Sequence, residues 1–117
     1  MSELFSLIDK KFSNKYNEWW WTYSVEFEFT FNKLVIKYIT ITDHYQQEHP
    51  TISNELILNI LWVKLNGERK EPRKKHGKRD IFVEERIGFQ GKKYRLIFWL
   101  KDNTNNHLWV RNCHEQN

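Results

Sequence analysis

The sequence predicts an α+β domain in which helices pack on one face of an antiparallel sheet, in the order helix, hairpin, helix and three-stranded meander. Three observations predict it. Apolar residues alternate with polar ones from Trp19 to Phe31, two other segments carry apolar residues at helical spacing, and three short strand-like runs close the chain. With 117 residues the chain fits one domain, residues 1–117, with a single modest core.

The first helix is expected over Ser2 to Ser13. Leu4, Leu7, Ile8 and Phe12 fall at helical spacing, with Glu3 and Asp9 toward the start and Lys10 and Lys11 toward the end, as the helix dipole favours. A strand follows from Trp19 to Phe31, with Trp19, Trp21, Tyr23, Val25, Phe27, Phe29 and Phe31 on one face. Asn32-Lys33 supplies a turn and Leu34 to Thr42 the return strand of a hairpin. Thr51 or Ser53 can cap a second helix with the stripe Ile52, Leu56, Ile57, Ile60, Leu61 and Leu65, ended by Asn66-Gly67. Residues 68–79 have no apolar side chain except the ring of Pro72 and read as a mobile basic loop. The meander runs through Ile81 to Phe89, Lys92 to Lys101 and His107 to His114, with turns at Gln90-Gly91 and at Asp102 to Asn106.

Composition narrows the classes of function. Hydrophobic residues are 39% and charged ones 29%, which suits a folded protein rather than a disordered one. No stretch approaches the roughly 20 apolar residues of a membrane-spanning helix, so no membrane partner is expected. Met1 to Asp9 lacks the pattern of a signal peptide, and Cys113 is the only cysteine, so a reducing, cytoplasmic location is expected. The net charge of +4 hides a division: residues 1–63 hold five lysines and eight acids, whereas residues 64–117 hold fourteen basic residues and seven acids. That asymmetry points to a polyanionic partner, nucleic acid rather than a membrane surface, the alternative being a solvated basic loop that only aids solubility. The six tryptophans offer faces on which bases could stack.

Motifs with fixed spacing are missing. There is no Gly-rich phosphate loop, no cysteine pair and no Gly-flanked nucleophilic serine. His44 and His49 are five residues apart, not the four that place two histidines on one helical face, and no metal or cofactor is expected. Cys113 on a strand reads as a packed side chain. The meander is richer. Arg86, Arg95 and Arg111 lie on three consecutive expected strands, and on one face they would suit a phosphodiester; on a solvated surface they would instead pair with Glu84, Glu85 and Asp102. Cleaving RNA without a metal needs a base for the 2′-hydroxyl, cations for the phosphorane and an acid for the leaving oxygen. His44, His114 and Glu85 have the chemistry for proton transfer. In a binding role alone, Arg69, Lys70, Arg73, Lys74, Lys75, Lys78 and Arg79 would hold phosphates while Trp99 or Trp109 stacks on bases. A protein-interaction module is the third reading.

Ile41-Thr42-Asp43-His44, then Ile52-Ser53-Asn54-Glu55-Leu56-Ile57, resembles the start of RelE-like toxin domains, members of the barnase/RelE-like ribonuclease superfamily. Glu84 to Phe89, Tyr94 to Ile97 and Leu108 to Asn112 resemble their closing meander. The likeness covers about Ile39 to His114 and leaves the aromatic hairpin outside it. It implies a toxin-type endoribonuclease that cleaves RNA without a metal and is neutralised by an antitoxin protein. On that resemblance His44 matches a helix histidine, Arg86 and Arg95 match strand arginines, and Asn112 matches a polar residue completing the site on the last strand.

Overall fold

The structure, a computed structural model, describes residues 4–43 and 52–116. Of these, 57% lie in strands and 11% in helical turns. The expectation of helices laid on an antiparallel sheet is therefore corrected: among the described residues one short helix accompanies a mixed sheet of seven strands.

The segment expected as the first helix is strand β1 (Phe5–Ser13), antiparallel to β2 (Glu18–Val25). Leu7 and Ile8, which carried the helical spacing, are 53% and 55% exposed, so no core recruits that stripe. The tryptophan-rich β2 instead takes β1 as a hydrogen-bonded neighbour, and a bulge between Leu7 and Asp9 absorbs the extra residue. Tertiary pairing overrides local periodicity here.

The long strand expected to Phe31 stops at Val25, whose N–H donates to Lys37 O. The chain then dips into the core, burying Phe29, Phe31 and Ile36 completely or nearly so. Asn32 and Lys33 both have positive φ (51° and 66°) and form the expected two-residue turn between β3 (Thr30–Phe31) and β4 (Leu34–Val35). Asn32 also clamps the later chain: its Oδ1 accepts from Lys70 N–H at 2.7 Å and its amide donates to Lys70 O at 3.0 Å.

Strand β5 (Tyr38–Thr42) runs antiparallel to β2 and parallel to the final strand. Helix α1 (Asn54–Ile60) begins where a cap was expected, the Ser53 hydroxyl accepting from Leu56 N–H at 3.1 Å, a contact worth about 1 kcal/mol. One π-helical turn, Leu61–Leu65, continues it and closes with Asn66 N–H on Leu61 O. Ile57, Ile60, Leu61 and Leu65 are buried, as the apolar stripe requires.

Part of the basic segment pairs as β6 (Lys74–His76) along β7 (Arg79–Phe89). Strand β8 (Lys92–Leu100) and β9 (His107–Gln116) complete the expected meander, with Gln90 and Gly91 again both at positive φ in the turn. The strand order is β1-β2-β5-β9-β8-β7-β6. The parallel β5–β9 pair joins an N-terminal half-sheet to a C-terminal one.

One face of the sheet supplies Ile39, Ile41, Leu96, Phe98, Leu108 and Val110 to the core shared with α1. Phe31 packs edge-on against Phe82 and Phe98, which stack on each other at 5.3 Å. Pleating sends Thr22, Thr40, Arg95, Trp99, His107 and Trp109 to the opposite face, which no helix covers among the described residues. No helix there is long and apolar enough to cross a membrane.

Candidate functional site

The uncovered face carries two groups of side chains. The first sits toward the C-terminal end of β9. Arg95 on β8 pairs in register with His114 on β9, so the two side chains share this face. On β7, a bulge between Glu84 and Ile87 interrupts the ladder and turns Glu85 toward Arg95. Glu85 Oε2 accepts from Arg73 Nη2 at 2.8 Å, and its Oε1 lies 3.4 Å from Arg95 Nε. The Arg73 hydrogen bond, aided by the charge of Arg95, holds the Glu85 carboxyl below the usual carboxylate range, so it is ionised at neutral pH.

Arg86 occupies the bulge at φ 55°, and its backbone N–H donates to Gln116 Oε1 at 2.6 Å. Its side chain is exposed. Asn112 Oδ1 accepts from the N–H of its neighbour Cys113 at 2.8 Å, at the point where the β8–β9 ladder shifts register. His44 lies outside the described residues.

The second group fills a hollow of about 430 Å³ where β2, β5, β8 and β9 cross the middle of the face. Trp20 meets the Trp109 ring edge-on at 4.9 Å, and the tilted Tyr16 ring lies 6.1 Å from Trp20. The Thr22 and Thr40 hydroxyls share a hydrogen bond of 2.8 Å, and Thr40 shares a second of 2.7 Å with His107 Nε2. Burial, with a lesser push from the Lys101 charge, brings the His107 pKa down to about 4, leaving a neutral ring at pH 7. Glu18 is 5% exposed and accepts from Trp20 Nε1 at 2.9 Å and from Arg111 Nη1 at 3.0 Å. At the rim, Arg79 lies 4.5 Å over the Trp99 ring and grips Asp102 with two hydrogen bonds of 3.1 and 2.7 Å. The Arg79 hydrogen bond keeps the Asp102 carboxyl below its ordinary range.

The three meander arginines thus go to three places. Arg95 joins Glu85 and His114, Arg111 turns to Glu18 on β2, and Arg86 stands in the bulge. Of the basic segment, Arg73 reaches Glu85 and Arg79 reaches Trp99; Lys70 Nζ lies 3.6 Å from Glu84, and Lys75 Nζ lies 3.8 Å from Asp80. Arg69, Lys74 and Lys78 are exposed. Trp99 and Trp109 are cross-strand partners in the hollow.

Sequence reasoning missed Glu18, Trp20, Thr40 and His107. A signal for Trp20 existed: it is the one bulky aromatic among the polar-phase residues of its strand, Glu18, Trp20, Thr22 and Ser24. Among the described residues no group of three or more histidine, cysteine, aspartate or glutamate side chains is placed to hold a metal ion. Comparison of the chain with protein-family models, curated proteins and solved structures finds no match.

Proposed function

We propose that the protein is a toxin-type endoribonuclease that cleaves RNA by acid–base chemistry, without a metal, on the uncovered sheet face. The observation that carries this reading is Glu85 bracketed by Arg73 and Arg95, with His114 directly across from Arg95. Glu85, ionised at neutral pH, removes the proton of a 2′-hydroxyl. The freed oxygen attacks the adjacent phosphorus, and the bond to the 5′-oxygen breaks. Arg95 and Arg73 hold the phosphate oxygens and stabilise the charge that gathers there. His114 donates a proton to the leaving 5′-oxygen. The products are a 2′,3′-cyclic phosphate and a 5′-hydroxyl.

The exposed Arg69, Lys74 and Lys78 attract the polyanion to the protein. The sequence resemblance to RelE-like toxins supports the same reading. It adds a neutralising antitoxin protein as partner and a cytoplasmic site of action. The test is to incubate the purified protein with single-stranded RNA and a chelator, and to analyse the ends. Cyclic phosphate termini, and no cut at positions bearing a 2′-deoxy nucleotide, support the reading. RNA that is bound but not cut favours the alternative, a non-catalytic nucleic-acid-binding domain.

A further inference from the structure

We infer that the tryptophan-lined hollow on the uncovered sheet face is a nucleobase subsite for single-stranded RNA, set apart from the cleavage residues and built by both halves of the chain. Its size and walls fit that occupant. About 430 Å³ lies within the range of small-ligand sites, and three indole rings, Trp20, Trp99 and Trp109, border it with Tyr16. Aromatic rings of this kind stack with bases of any identity.

The polar groups suit a base better than a phosphate. Arg111 is held by Glu18 and Arg79 by Asp102, one carboxylate to each guanidinium, whereas Arg73 and Arg95 divide the single carboxylate of Glu85 between them and keep a net positive charge. Between Arg111 and Arg79 lie hydroxyls and a neutral imidazole, Thr22, Thr40 and His107, arranged as one hydrogen-bonded chain. Such groups donate to and accept from base edges without demanding a charge. The phosphates are left to the basic residues around the hollow and to Arg73 and Arg95. That division complements a single strand, whose bases splay inward while its backbone follows positive charge.

Position supports a role in the same substrate. The pair Trp99–Trp109 lies four residues along β8 from the pair Arg95–His114, a separation of about 13 Å at roughly 3.3 Å per residue. Both pairs face the same side. A strand cleaved beside His114 would lay a neighbouring base in the hollow, so binding there fixes the register of cutting. Resting on the ribonuclease reading, this assigns Tyr16, Trp20, Trp99 and Trp109 to substrate binding and none of them to proton transfer.

The test uses the full chain and an RNA oligonucleotide methylated at every 2′-oxygen, which cannot be cleaved. Tyr16→Ala, on an exposed residue, and Trp99→Leu should each raise its Kd roughly 5- to 150-fold, the loss expected for one stacked base. Thermal unfolding establishes that each variant is folded. On cleavable RNA the same variants should raise KM and leave kcat within about twofold, the pattern of lost uniform binding. An oligonucleotide with one abasic position should lose affinity for the wild type and lose no more for Trp99→Leu. Folded variants that bind like the wild type, or abasic losses that add fully to the variant's loss, overturn the subsite. Binding that depends on the hollow in a protein that cuts no RNA upholds the subsite and overturns only the ribonuclease reading.

Discussion

Arg111 on β9 donates from Nη1 to Glu18 Oε2 at 3.0 Å, closing a contact between residues 93 apart in sequence. It links the second strand of the N-terminal half-sheet to the last strand of the C-terminal one, across the intervening β5. The same buried carboxylate accepts from the Trp20 indole, so one side chain fixes both a wall of the hollow and the seam between the halves.

Glu18→Ala should therefore cost stability as well as shape the hollow. It strands a partly buried guanidinium and an indole N–H, and a loss of about 1–3 kcal/mol is expected once the partial exposure of Arg111 is allowed for. Urea unfolding of the variant and of Glu18→Gln checks this, the amide keeping one acceptor and part of the stability.

His107 gives stability a pH dependence of known sign. The ring titrates near 4 when folded, against 6.5 for an unperturbed histidine. Above pH 6.5 it is neutral in both states and contributes no slope. Between about 6.5 and 4 the unfolded chain takes up a proton that the folded protein refuses, so this residue makes stability fall as pH falls through that window. Proton NMR of the imidazole should show no titration of His107 above pH 5, and His107→Gln should flatten the pH dependence of the unfolding midpoint.

Cys113 should resist thiol reagents in the folded protein. It is fully buried in the core and its thiol is pushed up to about 12 by that burial, so almost no thiolate forms at neutral pH. Labelling at pH 7 should proceed at the rate of unfolding, and denaturant should accelerate it to the rate of a free thiol.

The basic segment predicts a salt slope. Replacing Lys74, Lys75 and Lys78 by alanine should weaken RNA binding uniformly across sequences. The slope of log K against log salt should flatten by about 2, at roughly 0.7 for each phosphate contact on a single strand. Titrations at several salt concentrations measure it. The edge position of β6 makes these substitutions structurally mild.

Local signals carried the parts of the fold that depend on neighbours in sequence. The alternation from Trp19 to Val25, the Asn32-Lys33 and Gln90-Gly91 turns, the Ser53 cap and the three meander strands each express a backbone preference readable within a few residues. What stayed hidden depends on distant partners. Phe5 to Ser13 has an apolar spacing that suits a helix, and only the free edge of β2 makes it a strand. The parallel union of β5 with β9 joins Ile39 to Leu108, with nothing in either segment to announce the other. The site divided likewise. Placing Arg95 opposite the core-facing Tyr94 and Leu96 followed from strand phase alone, whereas His114, in phase with Leu108 and Val110 along the sequence, reaches the face of Arg95 only through the register shift in β9. Glu18 could not be found that way, because its role rests on a contact with β9.

The measurement that bears most directly on the central claim is the pH dependence of single-turnover RNA cleavage by the wild type, Glu85→Gln and His114→Gln. The wild type should give a bell-shaped profile whose acid limb lies below the ordinary carboxylate value of 4.5, because Arg73 and Arg95 hold Glu85 ionised. Each variant should lose about 10²- to 10⁴-fold in rate and the limb that belongs to its residue, while keeping the wild-type Kd for uncleavable RNA. Cleavage that persists in both folded variants at the wild-type rate would contradict the assignment of the site, and a wild type that binds RNA yet never cuts it would contradict the function.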